Sequence, residues 1–431
     1  MLHKSLLGHG ESRSEGDSRD QRRAPAQCPG ENGCSLTRRT KDRMARRFKS
    51  TTWALLLVAS AFCSFGPAIH AQAPTSAASP TLRVAVVGQA LIKTDLRRAA
   101  PVAVEQARRY LQGADVRFTN LETAVAPREA AVTPRPPATR TDPDVLDCLK
   151  DMGFNLLSLS NNHAWDLGEA GLRLTRDEVA RRGFAHAGTG VNSAAAVAPG
   201  FLETPAGRVA LIGMASGAVQ LTPDTWAAPD HPGVNFLELR KDETLNPEQA
   251  GRILNAVREA ARQTPNVIVY QHNHYWGDAR GSGQPPGRSK VVDRIDAPWL
   301  VEWTHRLIDA GASMYVGHGD PVLHGVEIYK GRPILHGLGN FIFEGNTTDT
   351  WGPLAFMGTV AHAEFKGGTL TGLSFQPIVL SLDTGPGAPR GTPYLAEGGE
   401  AAAILGRLAD LSRRYGTEMR IAGETATVVM K

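Results

Sequence analysis

Two rhythms alternate along the chain. Short continuous apolar runs give way to segments in which apolar residues recur every three or four positions, and then return. "LRVAVVG" (82–88) reads as a strand closed by Gly88, "VAVEQARRYLQGA" as a helix, and "DVRFTNLE" as a second strand. "RTDPDVLDCLKDMG" predicts a helix with an Asp/Thr start and a Gly stop, and "FNLLSLSNNH" a return to strand. The helix "EAGLRLTRDEVARRG", the strand "RVALIGMAS", the helix "NPEQAGRILNAVREAARQ", the strand "NVIVYQHNHYWG", the helix "PWLVEWTHRLIDAG" and the strand "ASMYVGHGD" follow. "HGVEIYKGRPILHGLGNFIFE" predicts a hairpin around Lys330-Gly331, and "GTLTGLSFQPIVLSL" marks the C-terminal part, 346–431, as β-rich. This order argues for an α/β chain with helices on the faces of its sheet, whose ligands gather beyond the carboxyl ends of the strands. No repeat and no second boundary divides residues 82–431, whose motifs fall in 82–345. The Gly/Pro-rich stretch 279–297 is expected to form a rim or lid, "GTGVN" (188–192) a turn, and "PRPPATR" (134–140) a surface loop that solvation or an acidic substrate explains equally well.

The N-terminus changes the picture of charge and compartment. Residues 1–43 are polar and aperiodic, as in a disordered or mis-assigned extension. Residues 44–73 run from basic residues through an apolar stretch to Ala71-Gln72-Ala73, the layout of a signal peptide cleaved near Ala73; an uncleaved membrane anchor is the alternative. Residues 74–81 read as a linker. The formal charge of +4 is misleading, because residues 1–50 hold 12 Lys/Arg against 6 Asp/Glu and the remainder is near −2. No basic stripe is left to suggest nucleic acid. Cys28, Cys34 and Cys63 fall in the part expected to be lost, so Cys148 remains alone, as a half-buried helix residue.

Candidate chemistry sits where the strands stop. Gln89 follows the first, Asn120 and Glu122 the second, and Asn161, Asn162, His163 and Asp166 the third. Later strands add His272 and His274, then His318 and Asp320, with His324 and Glu327 close behind. One strand-end Asn or His is usually a turn or cap residue. Five strand ends bearing metal-binding or proton-carrying groups point instead to one basin, if the strands are neighbours. Trp165, Tyr275 and Trp276 flank these motifs, as cleft walls or as core.

The strings "ADVRFTNLET", "NLLSLSNNHAWDLGEAGL", "HNHYWGD" and "GASMYVGHGDPVLHGVEIYKGRPILHGLGNFIFE", taken in order, resemble the CapA-type family associated with poly-γ-glutamate capsule biosynthesis, whose domain is similar to the calcineurin-type metallophosphoesterases. The resemblance covers roughly 82–345. It implies a metallophosphatase-like β-sandwich core flanked by helices, with a site for one or two divalent metals (Mn, Fe, Zn or Mg) at the strand ends. It further implies Glu122, Asn162, His272 and His318 as metal-facing residues, with Gln89, His274 and His324 as further candidates. His163, His272 and Asp320 are the expected catalytic groups, and Asn120, Asn161, Asp166 and Asn340 their support. Carboxylate, amide oxygen and imidazole suit such ions, and a histidine beside a ligand can protonate a leaving group.

Two motifs depart from the family's usual residues. Gln89 stands where "GD" supplies a carboxylate, and "GHGDPVLHG" puts Gly319 and Pro321 where two histidines are usual; Asp95, Asp320 and His324 are close enough in sequence to compensate. Two metals, one weakly held metal, and a metal-free site using His163, His272, His274 and Asp320 therefore all stay open. So do three functions: an exported hydrolase or transferase acting on a phosphoester or an anionic polymer, a non-catalytic polymer-binding part of membrane-associated capsule machinery, and a metal-independent acid/base enzyme.

Overall fold

The strand Thr81–Leu91 is buried along nearly its whole length, and its alternation explains the layering. Val84 and Val86 point into one apolar cluster, Ala85 and Val87 into another on the opposite face. A strand covered on both sides needs apolar residues at every position, which is why "LRVAVVG" reads as one continuous run. The computed structural model describes residues 80–217, 220–275, 297–345, 352–382 and 388–430. The expected extension, leader and most of the linker, with Cys28, Cys34 and Cys63, lie outside the described residues, as do Trp276 and nearly all of the 279–297 loop.

Two sheets face each other. In the first, the order is Met419–Ala422, Thr425–Val428, Thr369–Leu380, Met357–Lys366, Thr81–Leu91, Val116–Leu121, Leu156–Ser158 and Ala185–Ala187. Asn340–Phe343 pairs parallel with the end of Thr81–Leu91, and Pro393–Leu395 pairs with Thr369–Leu380. The second sheet runs Val326–Tyr329, Arg332–Leu335, Met314–His318, Val267–Asn273, Gly207–Ser216 and Gly200–Thr204. The inner faces meet in one cluster that holds Val86, Phe118 and Leu156 against Leu211, Tyr270 and Val316. The Phe118 and Tyr270 rings touch across it at 5.5 Å.

Helices close the outer faces. Pro101–Leu111 and Asp144–Met152 cover the first sheet, and Pro247–Gln263 and Pro298–Asp309 the second. Proline opens three of them, where its missing N–H costs nothing. Asn246 caps Pro247–Gln263 by accepting from the Glu248 and Gln249 amides. Cys148 is fully buried rather than half-buried, because it shares the inward stripe of its helix with Val145, Leu149 and Met152, and burial pushes its thiol up to about 12. No described helix is long and apolar enough to cross a membrane.

Three local readings change. The expected hairpin turns at Lys330 and Gly331, whose φ values of 50° and 72° make the two-residue turn that matches strand twist, but its second arm ends at Leu335. The chain then crosses to the other sheet, where Asn340–Phe343 lies beside Gln89–Leu91. "GTGVN" contains a two-residue strand, Thr189–Gly190, paired with Gly233–Val234. The C-terminal part is mixed rather than simply β-rich: Gly398–Arg413 is a helix that buries Ile404, Leu405, Leu408 and Leu411.

Candidate metal centre at the strand ends

Register brings the polar tips together. In the first sheet Gln89 is level with Asn120 and with Asn340, and Asn120 with Ser158. In the second, His272 is level with His318. Both sets of parallel strands end at the same place, so Glu122, one residue beyond its strand, meets the histidines of the other sheet. The ligand atoms of Glu122, His272 and His318 all lie within 4.8 Å of one another, and all three side chains are buried. Gly88 makes room for the crossing segment, since a Cβ there would fall 1.7 Å from the Gly339 carbonyl oxygen.

Burial sets the protonation of the group. It pushes Glu122 well above the usual carboxylate range, with the Asp166 charge adding to the effect. It pulls His272 well below the usual imidazole range, His274 to about 4 and His318 to about 3. All three histidines are therefore neutral near pH 7, the form that binds metal. His318 Nε2–H donates to the Gly339 carbonyl at 3.0 Å, which leaves the Nδ1 lone pair to receive the Gly319 N–H at 2.7 Å. The carbonyl fixes the orientation of the ring, and the Nδ1 lone pair can face a cation only if the Gly319 N–H gives up its bond. His272 Nε2 lies 3.0 Å from His274 Nε2 and 3.8 Å from Glu122 Oε1.

The donor set fits a hard or borderline divalent cation. Glu122 Oε2, Asn162 Oδ1, Gln89 Oε1 and Asn340 Oδ1 are buried and have no hydrogen-bond partner among the described residues. Each is an acceptor, and a buried acceptor left alone costs free energy that a proton donor or a cation would recover.

Beside this group, His163 Nδ1 is 2.7 Å from Asp166 Oδ2, and the same oxygen accepts the Thr139 N–H at 2.6 Å. His163 keeps a partly open side chain, while Asp166 is buried. Asn161 reaches Asn120 Oδ1 and the Leu121 carbonyl, and its own oxygen accepts the His163 N–H at 3.0 Å, so the Asn-Asn-His turn is bolted to the neighbouring strand. Asn340 Nδ2 donates to the Pro321 and Ala355 carbonyls. Asp320 and His324 are buried near His318 but are not in the three-residue ligand group. Asp95 instead caps the Leu96–Ala99 helix and pairs with Arg97, and Glu327 pairs with His305 at 2.7 Å. Trp165 stacks on His231 and Tyr275 meets Trp299 edge-on, both largely buried.

Residues not foreseen from the sequence are Thr139, Tyr270 and Gln220. Thr139 is the one buried residue of the 134–140 segment, and its amide ties that segment to the Asp166 carboxylate. The Tyr270 hydroxyl lies 3.3 Å from His272 Nδ1, and Gln220 holds Asn162 at 2.6 Å. Tyr270 is two residues before His272 on the same strand, so the period-2 pattern places it on the same face; Thr139 and Gln220 carry no local signal.

The sequence profile described as "Bacterial capsule synthesis protein PGA_cap" matches residues 83–345. An uncharacterized protein of Sinorhizobium fredii is 29% identical over 423 residues, covering 78% of this chain and 90% of that protein. A probable polyglutamine synthesis accessory protein of Mycobacterium tuberculosis is 30% identical over 53% of this chain and 55% of its own length. The PGA biosynthesis protein CapA of Bacillus subtilis is 27% identical over 49% of this chain and 48% of its own. The chain thus spans about half the length of these relatives with named roles. A solved structure described as a novel phosphatase of Mycoplasma pneumoniae is similar at 11% identity and a TM-score of 0.40, covering 70% of this chain and 94% of that one, too loose a likeness to argue from. Since the matched profile takes in more than half of the chain and every strand end that contributes to the buried Glu122, His272 and His318 group, the chain belongs to the bacterial capsule synthesis protein family.

Proposed function

We propose that this chain is an exported member of the family whose strand-end pocket holds one divalent cation, Mn, Fe, Zn or Mg, and acts on a phosphoester or on an anionic polymer such as poly-γ-glutamate. Glu122, Asn162, His272 and His318 would hold the cation, with Gln89 and His274 at its border. When bound, it supplies Lewis-acid polarisation of the bond to be broken. The remaining work belongs to side chains. Asp166 accepts the His163 Nδ1–H, fixes that tautomer and offsets the charge when the ring is protonated. His163 Nε2 is then the atom that carries a proton to the leaving group. Cleavage of a leader near Ala73 would release the protein to work beside capsule machinery at the membrane.

The observation that supports this reading best is the buried Glu122 carboxyl with an unpartnered oxygen facing two neutral imidazoles. The test is metal content of the purified protein together with hydrolysis of a generic phosphodiester before and after chelation. Turnover by wild type, lost on chelation and in His163→Ala, supports it; absence of bound metal with turnover unaffected by chelator defeats it. A second reading, a polymer-binding component without turnover, draws on Gly319. Its φ of 139° and a would-be Cβ 1.7 Å from the Asn273 oxygen bar any side-chain ligand there, and Gln89 brings no charge. Retained binding of poly-γ-glutamate with no turnover of esters or amides would favour it.

A further inference from the structure

The orientation of the Asn162 amide is dictated from a backbone carbonyl in another loop. The Pro137 carbonyl can only accept, so Gln220 must offer it the NH2 group, and does so at 2.8 Å. Gln220 Oε1 is left facing Asn162 and admits only the Asn162 NH2, at 2.6 Å. Asn162 Oδ1 is thereby turned inward, where it is buried and has no hydrogen-bond partner among the described residues. Flipping either amide would set oxygen against oxygen or NH2 against NH2, so one fixed acceptor decides the whole relay.

The loops carrying this relay are stitched together around it. Arg135 reaches Asp224 at 3.1 Å and the Thr222 hydroxyl at 2.8 Å, and the Arg135 and Thr139 amides donate to Asp166. Gln220 holds a left-handed backbone, φ 59°, which non-glycine residues seldom adopt without a compensating contact. Neither Gln220 nor Pro137 is among the residues argued to touch a cation.

We infer that Gln220 is a positioning residue of the site: it holds the Asn162 amide with its oxygen inward, ready for a divalent cation, and it is itself set by the Pro137 carbonyl. The inference rests on the cation reading above, and the test separates the two. Mn2+ is titrated calorimetrically into the full chain as wild type, Gln220→Ala, Gln220→Glu and Glu122→Gln, with a melting curve in chelator confirming that each is folded. Gln220→Glu keeps an acceptor for the Asn162 NH2 but loses the donor to Pro137. Gln220→Ala is expected to weaken Mn2+ binding about 10- to 100-fold, the usual cost of losing a partner that orients a ligand, and Gln220→Glu, which sets a carboxylate oxygen against the Pro137 carbonyl, to weaken it as well. Wild-type affinity in folded Gln220→Ala, with binding abolished in Glu122→Gln, overturns the role of Gln220 and leaves the cation reading standing. Wild-type affinity in folded Gln220→Glu overturns the part given to the Pro137 carbonyl. No Mn2+ binding by wild type defeats the cation reading, and this inference with it.

Discussion

Replacing Glu122 by glutamine should make the metal-free protein more stable and the metal-loaded protein less so. The side chain is 4% exposed, one of its oxygens has no partner, and the nearest imidazole nitrogen, on His272, is 3.8 Å away. Glutamine keeps the shape and removes the charge, so no cavity opens. A carboxyl buried with one oxygen unpartnered costs about 1–3 kcal/mol, which Glu122→Gln, with nothing to ionise, should recover in chelator at pH 7. Because burial raises the folded-state pKa of this carboxyl, its penalty is absent at pH below about 4, grows as pH rises through the ordinary glutamate range, and is complete above the folded value. A cation that binds only the folded wild type reverses the ranking, adding about 2.7 kcal/mol at a hundredfold excess over Kd. The assay is urea denaturation of both proteins at pH 4 and pH 7, with chelator or with Mn2+. The reasoning fails if Glu122→Gln is the less stable protein in chelator at pH 7, or if Mn2+ stabilises it as much as wild type.

Acid should unfold the metal-free protein early. The unfolded chain takes up protons at His272, His274 and His318 near pH 6.5, whereas the folded chain holds His274 neutral to about 4 and His318 to about 3. Stability should therefore fall by about 1.4 kcal/mol per pH unit for each of these histidines below pH 6.5, and a flat denaturation profile between pH 7 and 5 would contradict their neutral burial. Asp166→Asn, which removes the carboxylate from the His163 ring, should lower kcat for a phosphodiester with little change in Mn2+ affinity, and His163→Ala should lower it by about 10²- to 10⁴-fold; steady-state kinetics beside calorimetry tests both. Gly319→Ala, driving a methyl into the Asn273 carbonyl at positive φ, should cost about 3 kcal/mol or more in denaturant melts. Phe118→Ala, opening the space between the sheets against Tyr270, should cost about 3–5 kcal/mol without altering Glu122, His272 or His318.

Much of the architecture was legible because it is written in local periodicity. Val84, Val86 and their neighbours, Val267 to Tyr270, and the stripe Val145, Leu149, Met152 specify strand or helix within a few residues of themselves. Gly398–Arg413 escaped although Ile404, Leu408 and Leu411 recur at helical spacing, because two glycines open it and no side chain caps it. "FNLLSLSNNH" was read too long: only Leu156–Ser158 pairs, and the rest leaves the sheet to form the turn that carries His163. The site was legible as a set of strand-end groups, but its internal order was not. That Gln220 commands Asn162 and Thr139 anchors Asp166 depends on loops far apart in sequence, and periodicity says nothing about where such loops meet.

The segment from His336 to Asn340 has a mechanical consequence. It leaves one sheet, gives its Gly339 oxygen to His318, lies against Gly88 and delivers Asn340 next to Gln89 in the other. The imidazoles and the carboxylate they face ride on separate slabs, yet this short covalent strap crosses between them at the very spot where they must agree. Sliding one slab over the other would stretch the strap first, so the alignment of the pocket is guarded by chain connectivity as well as by the grip of the apolar filling.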